Sequence, residues 1–105
     1  MAQSEYTILM NYTNAKKTAT KLDSIAAQVK SNQGKVVDTN HNIQQAWKSE
    51  NATAYAKKVE IVSANLTTIE KNLKKIAETI RTNAKRTYDA EMRAAQIAKE
   101  RNYGG

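Results

Sequence analysis

The residues of this chain that could do covalent chemistry stand apart from one another. His41 is the only histidine, and its nearest acid, Asp38, lies three residues before it. One imidazole and one carboxylate fall short of a zinc ligand set, and no second group is placed to exchange a proton with the ring. There is no cysteine, which removes disulfides, thiol nucleophiles and thiolate metal sites together. The three glycines, Gly34, Gly104 and Gly105, cannot form a phosphate cradle. Neither a nucleophile elbow nor a glycosidase-like carboxylate pair is present. The chain therefore reads as a non-enzyme, with no catalytic residue, metal, cofactor or small-molecule substrate.

Charge is the next chemical feature. Seventeen Lys and Arg against ten Asp and Glu give a formal net charge of +7 over 105 residues. Such a balance suits nucleic acid, a membrane surface or an acidic protein partner. Lys71, Lys74, Lys75, Arg81, Lys85 and Arg86 outnumber the lone acid Glu78 in their stretch. A basic helical nucleic-acid-binding protein is one alternative. However, no aromatics interleave these cations for base stacking and no groove-reading motif appears, so they read as a solvated helix face. The N-terminus has no basic start, and Ile8-Leu9-Met10 is too short for a signal-peptide core. No stretch approaches a membrane span. The expectation is a chain made in the cytoplasm that leaves the cell, if it does, without a removable signal. Without such a signal, the tripeptides at Asn11, Asn51 and Asn65 that match a glycosylation acceptor are chance occurrences.

Helices must position whatever these residues do. Ile8, Tyr12, Ala15, Ala19, Leu22, Ala26, Val29, Val36, Ile43 and Trp47 recur in steps of three and four or their sums. Gln33 and Asn40 complete that series, and Ile25 and Val37 widen it. Tyr55, Val59, Val62, Leu66, Ile69, Leu73, Ile76 and Ile80 form a second series, which continues with a one-residue slip through Ala84, Tyr88, Glu91 or Met92, Ala95 and Ala98. Each spacing keeps its residues on one helix face, and polar residues in such a stripe fix register at a cost in stability. Gly34 keeps the stripe in phase and so predicts a weak point in the helix, with a true break as the alternative. Ser49 suits an N-cap with Glu50 behind it, Lys99 and Arg101 suit a last turn, and Gly104-Gly105 suit a stop.

These signals predict an all-α, elongated antiparallel hairpin forming a single domain over 1–105. Helix one covers about 6–46, the turn 47–50 and helix two about 50–101. At 1.5 Å per residue the helices span roughly 60 and 75 Å. Folding back at Lys48 sets Tyr6 and Ile8 against Tyr88 and Ala90, so a tail from about 91 to 105 projects beyond its partner. Two such hairpins pairing into a four-helix bundle would relieve a core that is thin for one hairpin alone.

The joint carries a family resemblance. Ala46-Trp47-Lys48-Ser49-Glu50-Asn51-Ala52-Thr53-Ala54-Tyr55 resembles the turn of the Trp-Xaa-Gly family, the early-secreted-antigen-like substrates of bacterial type VII secretion. Tyr55 matches the bulky aromatic early in the second helix, and the two ladders extend the likeness over nearly the whole chain. Ser49 stands where the family has Gly. Tyr88-Asp89-Ala90-Glu91-Met92 is similar to the family's C-terminal signal, a Tyr followed four residues later by an acid, although Met92 occupies the acid's place.

The resemblance implies a secreted or surface-associated, virulence-associated protein that dimerises with another helical hairpin, as homodimer or heterodimer. The positive charge suits an acidic partner chain or the acidic helical targeting domain of a larger effector. A partner would then supply the complete signal to the secretion ATPase. The dimer and core stripe would be Ile8, Leu22, Val29, Val36 and Ile43 with Val59, Val62, Leu66, Ile69, Leu73, Ile76 and Ile80. Trp47, Ser49 and Tyr55 would form the turn motif, and Tyr88, Asp89, Glu91 and Met92 the signal region. A needle-like protomer of another export device is a further alternative.

Overall fold

Two helices account for almost all of residues 4–104, which are the residues described in a computed structural model, with side chains described through Arg101. Helix α1 is Glu5–Ala46 and helix α2 is Glu50–Gly104, and no strand occurs among the described residues. They form a helical hairpin.

Each helix begins at a serine. Ser4 Oγ accepts from the Thr7 amide at 3.1 Å, and the Ser4 carbonyl accepts from the Ile8 amide at 3.0 Å. Glu5 and Glu50 occupy the two first turns, where the helix dipole favours negative charge. Gly34 does not interrupt α1, and it takes no positive φ. At the other end, α2 continues through Gly104, three residues past the expected limit, so the stop expected there is not at Gly104. Gly105, the other half of that expected stop, lies outside the described residues.

The chain divides into two compact units, one of residues 22–75 and one of residues 1–21 with 76–105. In the first, Ala26, Ala52 and Val59 are buried between the helices, and Leu22, Val29, Val36, Ile43, Leu66 and Leu73 are half-buried. Polar bonds cross this seam. Gln33 Nε2 donates to the Ser63 carbonyl at 2.9 Å, to Ser63 Oγ at 3.0 Å and to Thr67 Oγ1. Gln44 Nε2 donates to the Ala52 carbonyl at 2.8 Å, bridging the turn, and reaches Asn40 Oδ1 at 3.3 Å. Neighbouring acceptors of this kind satisfy an amide that burial would otherwise penalise.

In the second unit Ile8, Ala19 and Ala77 are buried and Ile80, Ala84 and Tyr88 half-buried. Tyr12 stacks on Tyr88 with ring centroids 4.6 Å apart and planes at 27°. This pairing sets Glu5 opposite roughly residue 95, since antiparallel helices advance equally from a common contact. A lysine side chain on a helix points back toward the N-terminus. Lys99 accordingly reaches Glu5, with Nζ 3.8 Å from Oε1. Glu91, Met92, Ala95 and Ala98 are half-buried. The stretch without an α1 neighbour thus starts later than residue 91, because the start of α1 and the reach of Lys99 extend the cover.

A methyl group built on Gly34 meets nothing within 4 Å, and the residue is helical. Gly34→Ala should therefore raise the unfolding free energy by about 0.5–1 kcal/mol in urea titration. No gain, or a loss, would mean that the glycine serves a contact outside this chain.

Candidate protein-binding site

The turn shows what Ser49 does at the joint between the two helices. The Trp47 amide donates to the Ile43 carbonyl at 2.8 Å, closing α1. Two residues later Ser49 Oγ accepts from the Ala52 amide at 3.2 Å, and the Ser49 carbonyl accepts from the Thr53 amide at 3.1 Å. Ser49 thus caps α2, satisfying an amide that the first helical turn leaves open. No non-glycine among the described residues has a positive φ, so the joint makes no conformational demand that only glycine could meet. The Trp47 side chain is left 45% exposed.

In the unit of residues 22–75 the apolar stripe splits. Val59, Leu66 and Leu73 turn toward α1, whereas Tyr55, Val62 and Ile69 remain 42%, 48% and 46% exposed. These three follow one another at seven-residue steps and so share a flank of α2. A groove of about 420 Å³ lies on the other flank, lined by Gln33, Val37, Asn40, Val59, Ser63 and Thr67 together with Glu60 and Ala64. At 100° per residue, Val62 and Ile69 fall across the seam from Glu60, Ala64 and Thr67, and Val36 and Ile43 fall across it from Val37. One flank is therefore mixed polar, and the other carries Tyr55, Val62 and Ile69 beside Val36 and Ile43.

The seam of the same unit holds one buried charge. Glu70 is 8% exposed and accepts a hydrogen bond from Lys74 at 2.9 Å. That bond, helped by the charges of Lys74, Lys30 and Lys71, holds the Glu70 carboxyl below its ordinary value of 4.5 against the opposing effect of burial. The Lys74 ammonium is raised by the same bond.

In the other unit, Tyr88 belongs to the helix pair and not to a free tail. Its ring lies on Tyr12, Lys85 Nζ stands 5.8 Å from its centroid, and Lys16 Nζ stands 4.3 Å from that of Tyr12. Asp89, which the spacing would pair with Arg93, is held instead by Lys85 at 2.8 Å, and this bond raises the Lys85 ammonium. A groove of about 320 Å³ beside the rings is lined by Ile8, Tyr12, Ala15, Ile80, Ala84 and Tyr88, with Glu91 at its edge. Ile76, a member of the stripe, is 50% exposed in this unit. The arrangement leaves one groove lined mainly by apolar residues, beside Tyr12 and Tyr88, and one exposed apolar flank, of Tyr55, Val62 and Ile69. No cluster of three or more His, Cys, Asp or Glu that could hold a metal occurs among the described residues.

Several contributors were missed in the sequence reading. Ser4 had a cap residue's type and place before the first helix. Gln44, Ser63, Thr67 and Glu70 are polar, and an apolar ladder passes over them; only the steps of four, four and three from Val59 through Ser63 and Thr67 to Glu70, and of seven and four from Gln33 through Asn40 to Gln44, could have marked them.

Residues 7–92 match the family WXG100, described as proteins of 100 residues with WXG, and the chain belongs to that family. Its members are small secreted helical proteins that are not known enzymes, and they typically form hairpin dimers with partners. No curated protein and no solved structure matches the chain.

Two predictions follow from this geometry. Because Ser49 acts as a cap, Ser49→Ala should cost about 1 kcal/mol in urea titration and Ser49→Gly only a few tenths; equal losses would remove the capping role. The lowered carboxyl means that Glu70 contributes stability above the ordinary carboxylate range, and that this contribution disappears as pH falls through its folded value. Glu70→Gln should therefore flatten the fall in melting temperature below about pH 4.5. A variant as acid-sensitive as the parent in that range would assign the transition to other carboxylates.

Proposed function

We propose that this protein is a small, non-enzymatic substrate or adaptor of a bacterial type VII secretion system. It acts by pairing its hairpin with another to form a four-helix bundle. The observation that carries this reading is the uncovered flank of Tyr55, Val62 and Ile69, found in a member of a family whose hairpins dimerise. Two helices bury too little apolar surface to leave such a flank in water without consequence. The partner is a second copy or an acidic hairpin, which a net charge of +7 would attract, and the helical targeting domain of a larger effector presents the same kind of surface. Trp47 and the capped turn then form one recognition element. Tyr88, Asp89, Glu91 and Met92 form another, read by the secretion ATPase, with a partner supplying the acid that Met92 replaces. The protein acts after secretion or at the cell surface, in a virulence-associated setting.

Light scattering on the purified chain, and on the chain co-expressed with its genomic neighbours, tests this reading. A dimer or a heterodimer is expected. Val62→Glu with Ile69→Glu should weaken it at least about a hundredfold while helicity is retained, because each carboxylate would have to enter an apolar contact. A chain that stays monomeric and fully folded in every mixture would sink the proposal. Truncation after Ala90 should leave the hairpin helical and stop export; unaltered export would remove the tail from the mechanism.

A further inference from the structure

We propose that the outer face of the first turns of α1 is a docking site for an anionic lipid surface. Within the unit that contains it, this segment carries apolar residues on two sides, with Thr7, Asn11 and Asn14 forming a polar strip between them. Ile8, 2% exposed, faces α2, whereas Tyr6, Leu9 and Met10 are 72%, 50% and 41% exposed. Tyr6, Leu9, Met10 and Thr13 follow steps of three and four and so form one ridge, turned away from the helix that covers Ile8. An apolar helix side is normally covered, and α2 covers only the Ile8 side of this one.

Charge identifies the surrounding medium. Glu5 is the only acid between Ser4 and Leu22, and Lys99 meets it at 3.8 Å. Lys16, Lys17 and Lys21 follow the ridge, with Lys17 two turns, roughly 10 Å, beyond Met10. An apolar ridge with an amphipathic tyrosine at one end and lysines at the other is the pattern of a helix seated at the boundary between acyl chains and headgroups. Anionic headgroups would also be attracted by the net charge of +7. A protein partner usually seats its anchors in pockets. Neither groove described above is lined by Tyr6, Leu9 or Met10, and a lipid surface needs no matching pocket. No helix among the described residues is long and apolar enough to cross a membrane, so the contact is one of adsorption.

Vesicle flotation tests this proposal, with vesicles of phosphatidylcholine alone or mixed with phosphatidylglycerol. The full chain should float with the anionic vesicles and bind the neutral ones at least about tenfold more weakly. Tyr6→Ser with Leu9→Ser and Met10→Ser should lose at least about tenfold on anionic vesicles, with helicity by circular dichroism unchanged. Lys17→Glu with Lys21→Glu alters exposed positions only and should also weaken flotation, which keeps the test sound if the triple variant folds poorly. A parent chain that does not float with anionic vesicles at low salt would overturn the proposal and leave the ridge to a protein partner. Flotation of the triple variant equal to that of the parent would overturn it as well, reducing the effect to charge.

Discussion

Two helices lying side by side can cover only the residues that point at each other, and the remaining features of this chain follow from that constraint. The most deeply buried positions are alanines, Ala19, Ala26, Ala52 and Ala77, with Ile8 close behind. Small residues let the backbones approach, but each contributes little apolar area. The larger residues on either side of them are half in water. A stripe wide enough to serve a bundle is therefore wider than one partner can hide. In the unit of residues 22–75 the surplus is Tyr55, Val62 and Ile69 on one flank.

A seam with so little apolar bulk needs another source of uniqueness, and polar contacts supply it. An alanine seam alone would tolerate sliding by a turn. Gln33 resists it, because its amide bonds to Ser63 and Thr67 together, and a one-turn slip toward Val59 would put an apolar side chain in place of one of them. Gln44 ties α1 to the first turn of α2 in the same way. Lys74 covers Glu70, the one buried carboxylate among the described residues, from its own helix, and the charge of Lys30 on α1 adds to it. These groups add modest stability, and their larger effect is on register.

The helices, the joint and the family resemblance were legible in the sequence because each rests on local rules: periodicity, cap residues and the absence of proline. The stripe kept its phase across Gly34, which favoured a weak point over a break without deciding between them, and α1 runs through it. What periodicity could not show was which half of a broad stripe faces inward. Val62 and Val59 have the same side-chain chemistry, and Ala52, Ser63, Thr67 and Glu70 decide between them by being small or polar enough to sit on the seam. Helix arithmetic gave nearly the right register, yet it missed the reach of Lys99, because a long side chain adds a turn to what the backbone alone can contact. Tyr6, Leu9 and Met10 stood outside the ladder, and a reading that looked for one face passed over a second.

The serine at the turn shows how a family signature can change while its physical task is kept. A helical hairpin needs a place where one helix ends, the chain reverses and another helix begins with its first amides satisfied. Glycine helps by allowing any φ. Serine helps by supplying an acceptor, and it suffices wherever the reversal uses ordinary backbone conformations, as it does here. The substitution leaves Trp47 in place, two residues before the cap and nearly half exposed. The indole is only partly withdrawn from water, and Gln44 and Ala52 join the helices at this end. Under the proposed function, an exposed aromatic ring of that size at a capped turn would be a surface for the partner, and Tyr55, also exposed and within two turns of the cap, would extend it along α2.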